Sequence, residues 1–160
     1  MFFIVTSPVN RQYDAMWEVQ WAVEGCKVIK TRHKGLFLIE ASRDAAQKIQ
    51  EYETTAVYRI IPLDILIPAE LSQIENTVVG LCEEKLPPQH SFAVRCKRRG
   101  FPVSSKDIEK RVGAAVVEAC SNPVNLDDPD VLVLIEIIGK KAGIAVLPQS
   151  EIVRKEVIDF

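Results

Sequence analysis

Residues 95–111 carry seven basic side chains against two acidic ones, in a chain whose net charge is only −2. Local cations of this density attract anions that the whole chain would not. The segment begins with the run Ser91 to Gly100, SFAVRCKRRG. Side chains alternate between the two faces of a strand. Phe92, Val94 and Cys96 then share one face, which suits a core. Ala93, Arg95, Lys97 and Arg99 share the other, with cations repeating every ~6.6 Å. Arg98 adds a fourth cation at the strand's end. Like charges this close repel, so they need a solvated face or an anion between them.

The next stretch, SSKDIEKR, opens a helix. Ser104 followed by Asp107 fits a capping box. Lys106 and Lys110 lie four apart, and Arg111 closes the basic window. A helix N-terminus offers free N–H groups and the positive end of the helix dipole. Strand cations leading into such a terminus make a phosphate clamp. The plainer alternative is a solvated strand whose Lys and Arg guard a sheet edge.

Other reactive types point to no chemistry. Cys26, Cys82, Cys96 and Cys120 form no CxxC pair, and His33 and His90 are the only histidines. A zinc site needs clustered soft ligands, so no metal or cofactor is expected. Four reduced cysteines suit a cytoplasmic protein. No signal peptide and no membrane span is expected, because no apolar run approaches ~20 residues. Asp127, Asp128 and Asp130 lack the spacing of a calcium loop. His33 reads as a solvated turn residue and His90 as structural. No nucleophile–base pair emerges, so the chain is expected not to be an enzyme. Trp17 and Trp21, at i and i+4, are expected to bury the first helix rather than stack on bases.

The elements that position these residues follow from pattern. Strands are expected at 2–5, around Val28 and Ile29, at 36–40 and at 56–61. Helices cover 11–24, capped by Asn10, and 43–52, capped by Ser42. The order βαββαβ is that of a ferredoxin-like fold. Pro62 and Pro68 bracket an expected linker, giving domains 1–67 and 68–160. The second domain reads as a helix over 71–85, a strand over 91–99, a helix over 104–120, and strands at 131–138 and 144–147. Residues 152–157 suggest one more strand. Gly113, inside the second helix of this domain, is expected to admit a neighbouring backbone. The class is α+β.

From Gln89 to about Lys155 the chain resembles a THUMP domain, on FAVRCKRRG, SSKDIEKRVGAAV, the loop NLDDPDVLVLIEI and the strand AGIAVL. A ferredoxin-like domain ahead of it also fits that family. The resemblance implies an RNA-binding module of tRNA-modifying proteins that holds the acceptor end of tRNA, including the 3′ CCA. It implicates Arg95, Lys97, Arg98, Arg99, Lys106, Lys110 and Arg111. The Lys140-Lys141 turn and the Lys30, Arg32 and Lys34 turn are further candidates. No GxGxxG, no Asp/Asn-Pro-Pro-Tyr/Phe methyltransferase motif and no SGG-type pyrophosphatase loop is present. The layout therefore implies a tRNA-binding adaptor with a separate catalytic partner, such as a cytidine acetyltransferase making N4-acetylcytidine. A stand-alone tRNA-recognition subunit for methylation or thiolation is an alternative. Another is a small-molecule regulatory protein, since ferredoxin-like folds also serve as amino-acid sensors.

Overall fold

The computed structural model describes residues 1–159. The chain divides into two compact units. One holds Met1–Leu63 and the stretch from Ser150 onward, and the other holds Asp64–Gln149.

In the first unit, β1 (Phe2–Thr6) is followed by α1 (Gln12–Ala22), β2 (Lys27–Lys30), β3 (Leu36–Glu40), α2 (Ala45–Glu51) and β4 (Arg59–Pro62). The chain returns as β9 (Val153–Arg154). The sheet order is β2-β3-β1-β4-β9, and every pairing is antiparallel. The first four strands are the ferredoxin-like arrangement that the sequence order predicts. The core comprises Phe3 and Val5 of β1, Phe37 and Ile39 of β3, Ala15, Met16 and Val19 of α1, and Ala45 and Ile49 of α2. Two side chains fasten the connections. Glu18 accepts bonds from the backbone N–H groups of Thr55 and Ala56. Lys155 donates to the carbonyls of Ile49, Gln50 and Tyr52 at the end of α2. Burial there lowers the Lys155 pKa from its ordinary value.

The second unit holds β5 (Ile65–Pro68), α3 (Leu71–Lys85), β6 (Phe92–Arg99), α4 (Ser105–Cys120), β7 (Val131–Ile138) and β8 (Lys141–Leu147). The sheet order is β5-β8-β7-β6. β6 and β7 are parallel, joined by α4, whereas β7 and β8 form an antiparallel hairpin. Both helices pack on one face. Ile74 and Val78 of α3 and Ile108, Val112 and Val116 of α4 meet Phe92, Val94, Val133, Ile135 and Ile144 of the sheet. All eight residues of β7 are buried, as a central strand with apolar side chains on both faces requires.

Several expectations differ from this structure. Residues 63–67 are no linker: the division falls between Leu63 and Asp64, and Ile65–Pro68 is an edge strand paired with β8. Pro62 and Pro68 still punctuate it, because proline is tolerated at strand ends and edges. Residues from Ser150 on belong to the first unit, not the second. Asn10 and Ser42 do not cap the helices; α1 is entered through a short 3-10 turn at Val9–Arg11, and Ser42 instead bonds the Asp44 side chain. Trp17 and Trp21 are exposed, at 58% and 66%. Gly113 is not in tight contact either, since a Cβ there would sit 3.9 Å from Val94 Cγ2.

Candidate nucleic-acid interface

β6 folds as its alternation dictates. Phe92, Val94 and Cys96 are buried, whereas Arg95, Lys97 and Arg98 are exposed and Arg99 is half-buried. Arg95, Lys97 and Arg99 lie on the face away from the helices. Arg98 lies on the helix side, beyond the last core residue. β6 is an edge strand, so these cations also discourage pairing with another chain. One of its edge N–H groups, that of Cys96, is occupied by the Glu109 carboxylate at 2.9 Å.

The turn after β6 brings α4 back over its end. Ser104 caps α4, its Oγ accepting from the Asp107 N–H at 3.1 Å. The bond from the Cys96 N–H to Glu109 ties the start of α4 to the carboxyl half of β6. Lys106, in the first turn, and Lys110, one turn on, are exposed. The β7–β8 hairpin joins them. Gly139 donates to the Arg99 carbonyl at 3.0 Å, and its φ of +61 gives the tight turn a left-handed first position. The turn is only Gly139-Lys140; Lys141 opens β8 opposite Ile138. Lys140 and Lys141 are both exposed.

The carboxyl ends of two parallel strands thus gather Lys97, Arg98, Arg99, Lys106, Lys140 and Lys141 from three elements. In open α/β sheets this end is where ligands bind. The cations wrap the edge from both faces, which suits a phosphate chain lying across it more than one small anion held in a cup.

These cations are not equivalent. Arg99 Nη1 lies 3.1 Å from Glu136 Oε2, and the Glu136 side chain is only 4% exposed. Arg99 is therefore partly committed to balancing a buried charge. Arg111 pairs with Glu75 on α3 and belongs to the helix–helix contact rather than to the strand end. Arg95 donates to the Leu126 carbonyl and Arg98 to the Phe101 carbonyl. Both bonds leave guanidinium donors to spare. Lys30, Arg32 and Lys34 lie on or beside the β2–β3 turn of the first unit, a separate group.

The remaining reactive residues have structural work. The Ser91 N–H donates to Asp130, lowering its carboxyl pKa, and Asn125 Oδ1 accepts from the N–H groups of Asp127 and Asp128. His90 offers its carbonyl to Asn122. Burial pushes the Cys82 thiol up to about 12 and that of Cys96 to about 11. Among the described residues no group of His, Cys, Asp and Glu could hold a metal ion. No helix among them is long and apolar enough to cross a membrane.

Sequence reasoning missed one feature. Tyr13, Trp17 and Trp21 form an exposed aromatic stripe on α1, and the i, i+4 spacing looked like a core face. The available signal was Ala15, Met16, Val19 and Val23, which already fill that helix's buried side.

Comparison with known proteins bears on the family and the fold. Residues 68–147 match the family described as THUMP domain. A probable tRNA sulfurtransferase of Methanocaldococcus jannaschii is 34% identical over 83 residues, 48% of this chain and 22% of that protein. A tRNA (guanine(6)-N2)-methyltransferase of Thermus thermophilus is 34% identical over 77 residues, 48% of this chain and 23% of that protein. The chain thus aligns with less than a quarter of either relative. A 4-thiouridine synthetase, solved as an RNA complex with bound ATP, superposes with a TM-score of 0.69 at 17% identity. That match covers 96% of this chain and 41% of the other, and shows a shared fold.

Proposed function

This chain belongs to the THUMP domain family, and from that premise we propose that it binds tRNA at the acceptor end and serves a thiolation or methylation reaction. The carboxyl edge of β6 and β7 is the grip. Phosphates meet Arg95, Lys97, Arg98, Lys106, Lys110, Lys140 and Lys141. Contacts of this kind fix position without reading sequence, so selectivity rests on RNA shape. The chain supplies recognition, and catalysis comes from another polypeptide segment.

One observation carries the reading: exposed cations from a strand, a helix N-terminus and a hairpin converge on one sheet edge. The kinship favours thiolation and methylation as the reaction served, because the two relatives above are named for those modifications. Nothing in them supports the cytidine-acetylation partner that family layout suggested. The test is recovery of the tagged protein from cells, with sequencing of bound RNA and analysis of its modified nucleosides. The expected result is strong tRNA enrichment, with a thiolating or methylating enzyme copurifying. Bound RNA with no tRNA enrichment over total RNA contradicts the proposal.

A further inference from the structure

Tyr13, Trp17 and Trp21 are spaced four residues apart on α1. At 3.6 residues per turn they drift by only ~80° over that span, so they share one face. Their exposures are 64%, 58% and 66%. Each aromatic side chain offers ~150–250 Å² of surface, so leaving three in water forgoes substantial burial. The two tryptophan rings are 6.0 Å apart and tilted by 51°, so neither covers the other as a parallel stack would. Beside them runs an open cleft of about 490 Å³ lined by Arg11, Asp14, Trp17, Glu18, Trp21 and Thr55.

Cations are fixed at one end of the stripe. Lys30 Nζ lies 5.0 Å from the centre of the Tyr13 ring. The turn that follows Lys30 is tied to α1, because Gln12 Oε1 accepts from the Gly35 N–H at 2.6 Å. Gly35 has a φ of +78, and a Cβ there would come 2.7 Å from the Ser7 carbonyl, so the closure depends on glycine. Lys30, Arg32 and Lys34 are all exposed on this anchored segment. The acids near the cleft are largely occupied. Asp14 pairs with Arg11 at 3.2 Å, and Glu18 accepts from Thr55 and Ala56. Glu24 lies past the other end of the helix, so the charge is graded along the stripe.

We infer that this face of the first unit binds a single-stranded RNA segment, with bases stacked on Trp17 and Trp21 and phosphates on Lys30, Arg32 and Lys34. Stacking platforms joined to a cationic track are what single strands require, since every base has a π-face and every linkage a charge. An apolar protein partner would use the rings but would not account for the fixed row of cations at one end. The inference rests on the RNA-binding reading above but uses different residues, so the two can fail separately.

Trp17 and Trp21 are the chain's two tryptophans, so its tryptophan emission reports on this face alone. The experiment titrates the full chain with a single-stranded oligoadenylate dodecamer and with a blunt RNA duplex, following that emission. The dodecamer should quench it and the duplex should leave it nearly unchanged. By an unlabelled readout, Trp17→Ala and Trp21→Ala should each weaken dodecamer binding about 10-fold. Phenylalanine at either position should restore part of it. Circular dichroism checks that the variants remain folded, as expected for exposed positions. Absent quenching, or dodecamer affinity unchanged in the double alanine variant, overturns the inference. Self-association in sedimentation that the alanine variants abolish, without quenching, also overturns it in favour of a second copy of the chain. If Arg95→Ala with Lys97→Ala leaves tRNA binding intact while the tryptophan variants impair dodecamer binding, the edge proposal fails and this one stands.

Discussion

The β6 edge and the α1 face solve opposite problems. The edge gathers seven exposed or half-exposed cations, Arg95 included, and among the described residues no exposed aromatic ring, and backbone or carboxylate groups hold its three arginines. The α1 face exposes three rings and concentrates its cations at one end. The first suits a backbone of any sequence; the second suits flat bases. A charged grip is strong at low salt and weakens as salt rises, because it works by releasing counterions. The α1 face, with three cations, should lose less than the edge with seven, in proportion to the phosphates engaged. Two such surfaces on one chain would hold backbone and bases by different forces.

The largest effect expected from breaking this comparison falls on stability. Arg99 neutralises Glu136, whose side chain is almost fully buried. Arg99→Ala should destabilise the second unit by ~2–3 kcal/mol, because it removes a charge-assisted bond from a buried carboxylate. Urea unfolding measures this, and a loss below ~1 kcal/mol would free Arg99 to count as a simple phosphate ligand. The next effect separates the surfaces by salt. Raising salt from about 50 to about 200 mM should cut tRNA affinity by roughly 10²-fold or more if several phosphates are engaged. Dodecamer affinity should fall by less, roughly 20-fold for three phosphates, and parallel salt slopes for the two RNAs would erase the distinction. A smaller effect concerns the helix terminus that places Lys106. Ser104→Ala should cost ~1 kcal/mol by removing the cap on Asp107 N–H. The smallest effect is chemical. Cys82 and Cys96, with thiols pushed up to about 12 and about 11, stay protonated at pH 8. Iodoacetamide should therefore modify the half-buried Cys26 and Cys120 first. Equal rates at all four would show that the cores around Cys82 and Cys96 open readily.

The two regions also differ in how plainly the chain encodes them. Alternation in β6 leaves one solution: Phe92, Val94 and Cys96 go inside, so Arg95, Lys97 and Arg99 go outside. The Ser104 cap and the ferredoxin-like strand order were legible for the same reason, since each rests on local geometry. α1 offers two apolar stripes, Tyr13-Trp17-Trp21 and Ala15-Met16-Val19-Val23. Hydrophobicity favours the larger rings as core, but the small and flexible side chains are the ones that fit against the sheet. Long-range pairings were least legible. β9 joins β4 from almost a hundred residues away, and β5 pairs with β8, so the division of the chain depends on partners that local pattern does not name. The pairings of Arg99 with Glu136 and of Arg111 with Glu75 lay outside the sequence argument in the same way.

On the function proposed above, the exposed cations of the sheet edge carry the grip on RNA. Arg95, Lys97 and Lys106 are exposed and form no ion pair among the described residues, unlike Arg99, so they can be removed together. The decisive measurement is tRNA affinity across a salt series for the wild type and the Arg95→Ala, Lys97→Ala, Lys106→Ala triple variant. Expected are unchanged thermal unfolding, an affinity loss of roughly 10²-fold at low salt, and a log–log salt slope shallower by about 2–3. Wild-type affinity and slope in a folded triple variant would contradict it.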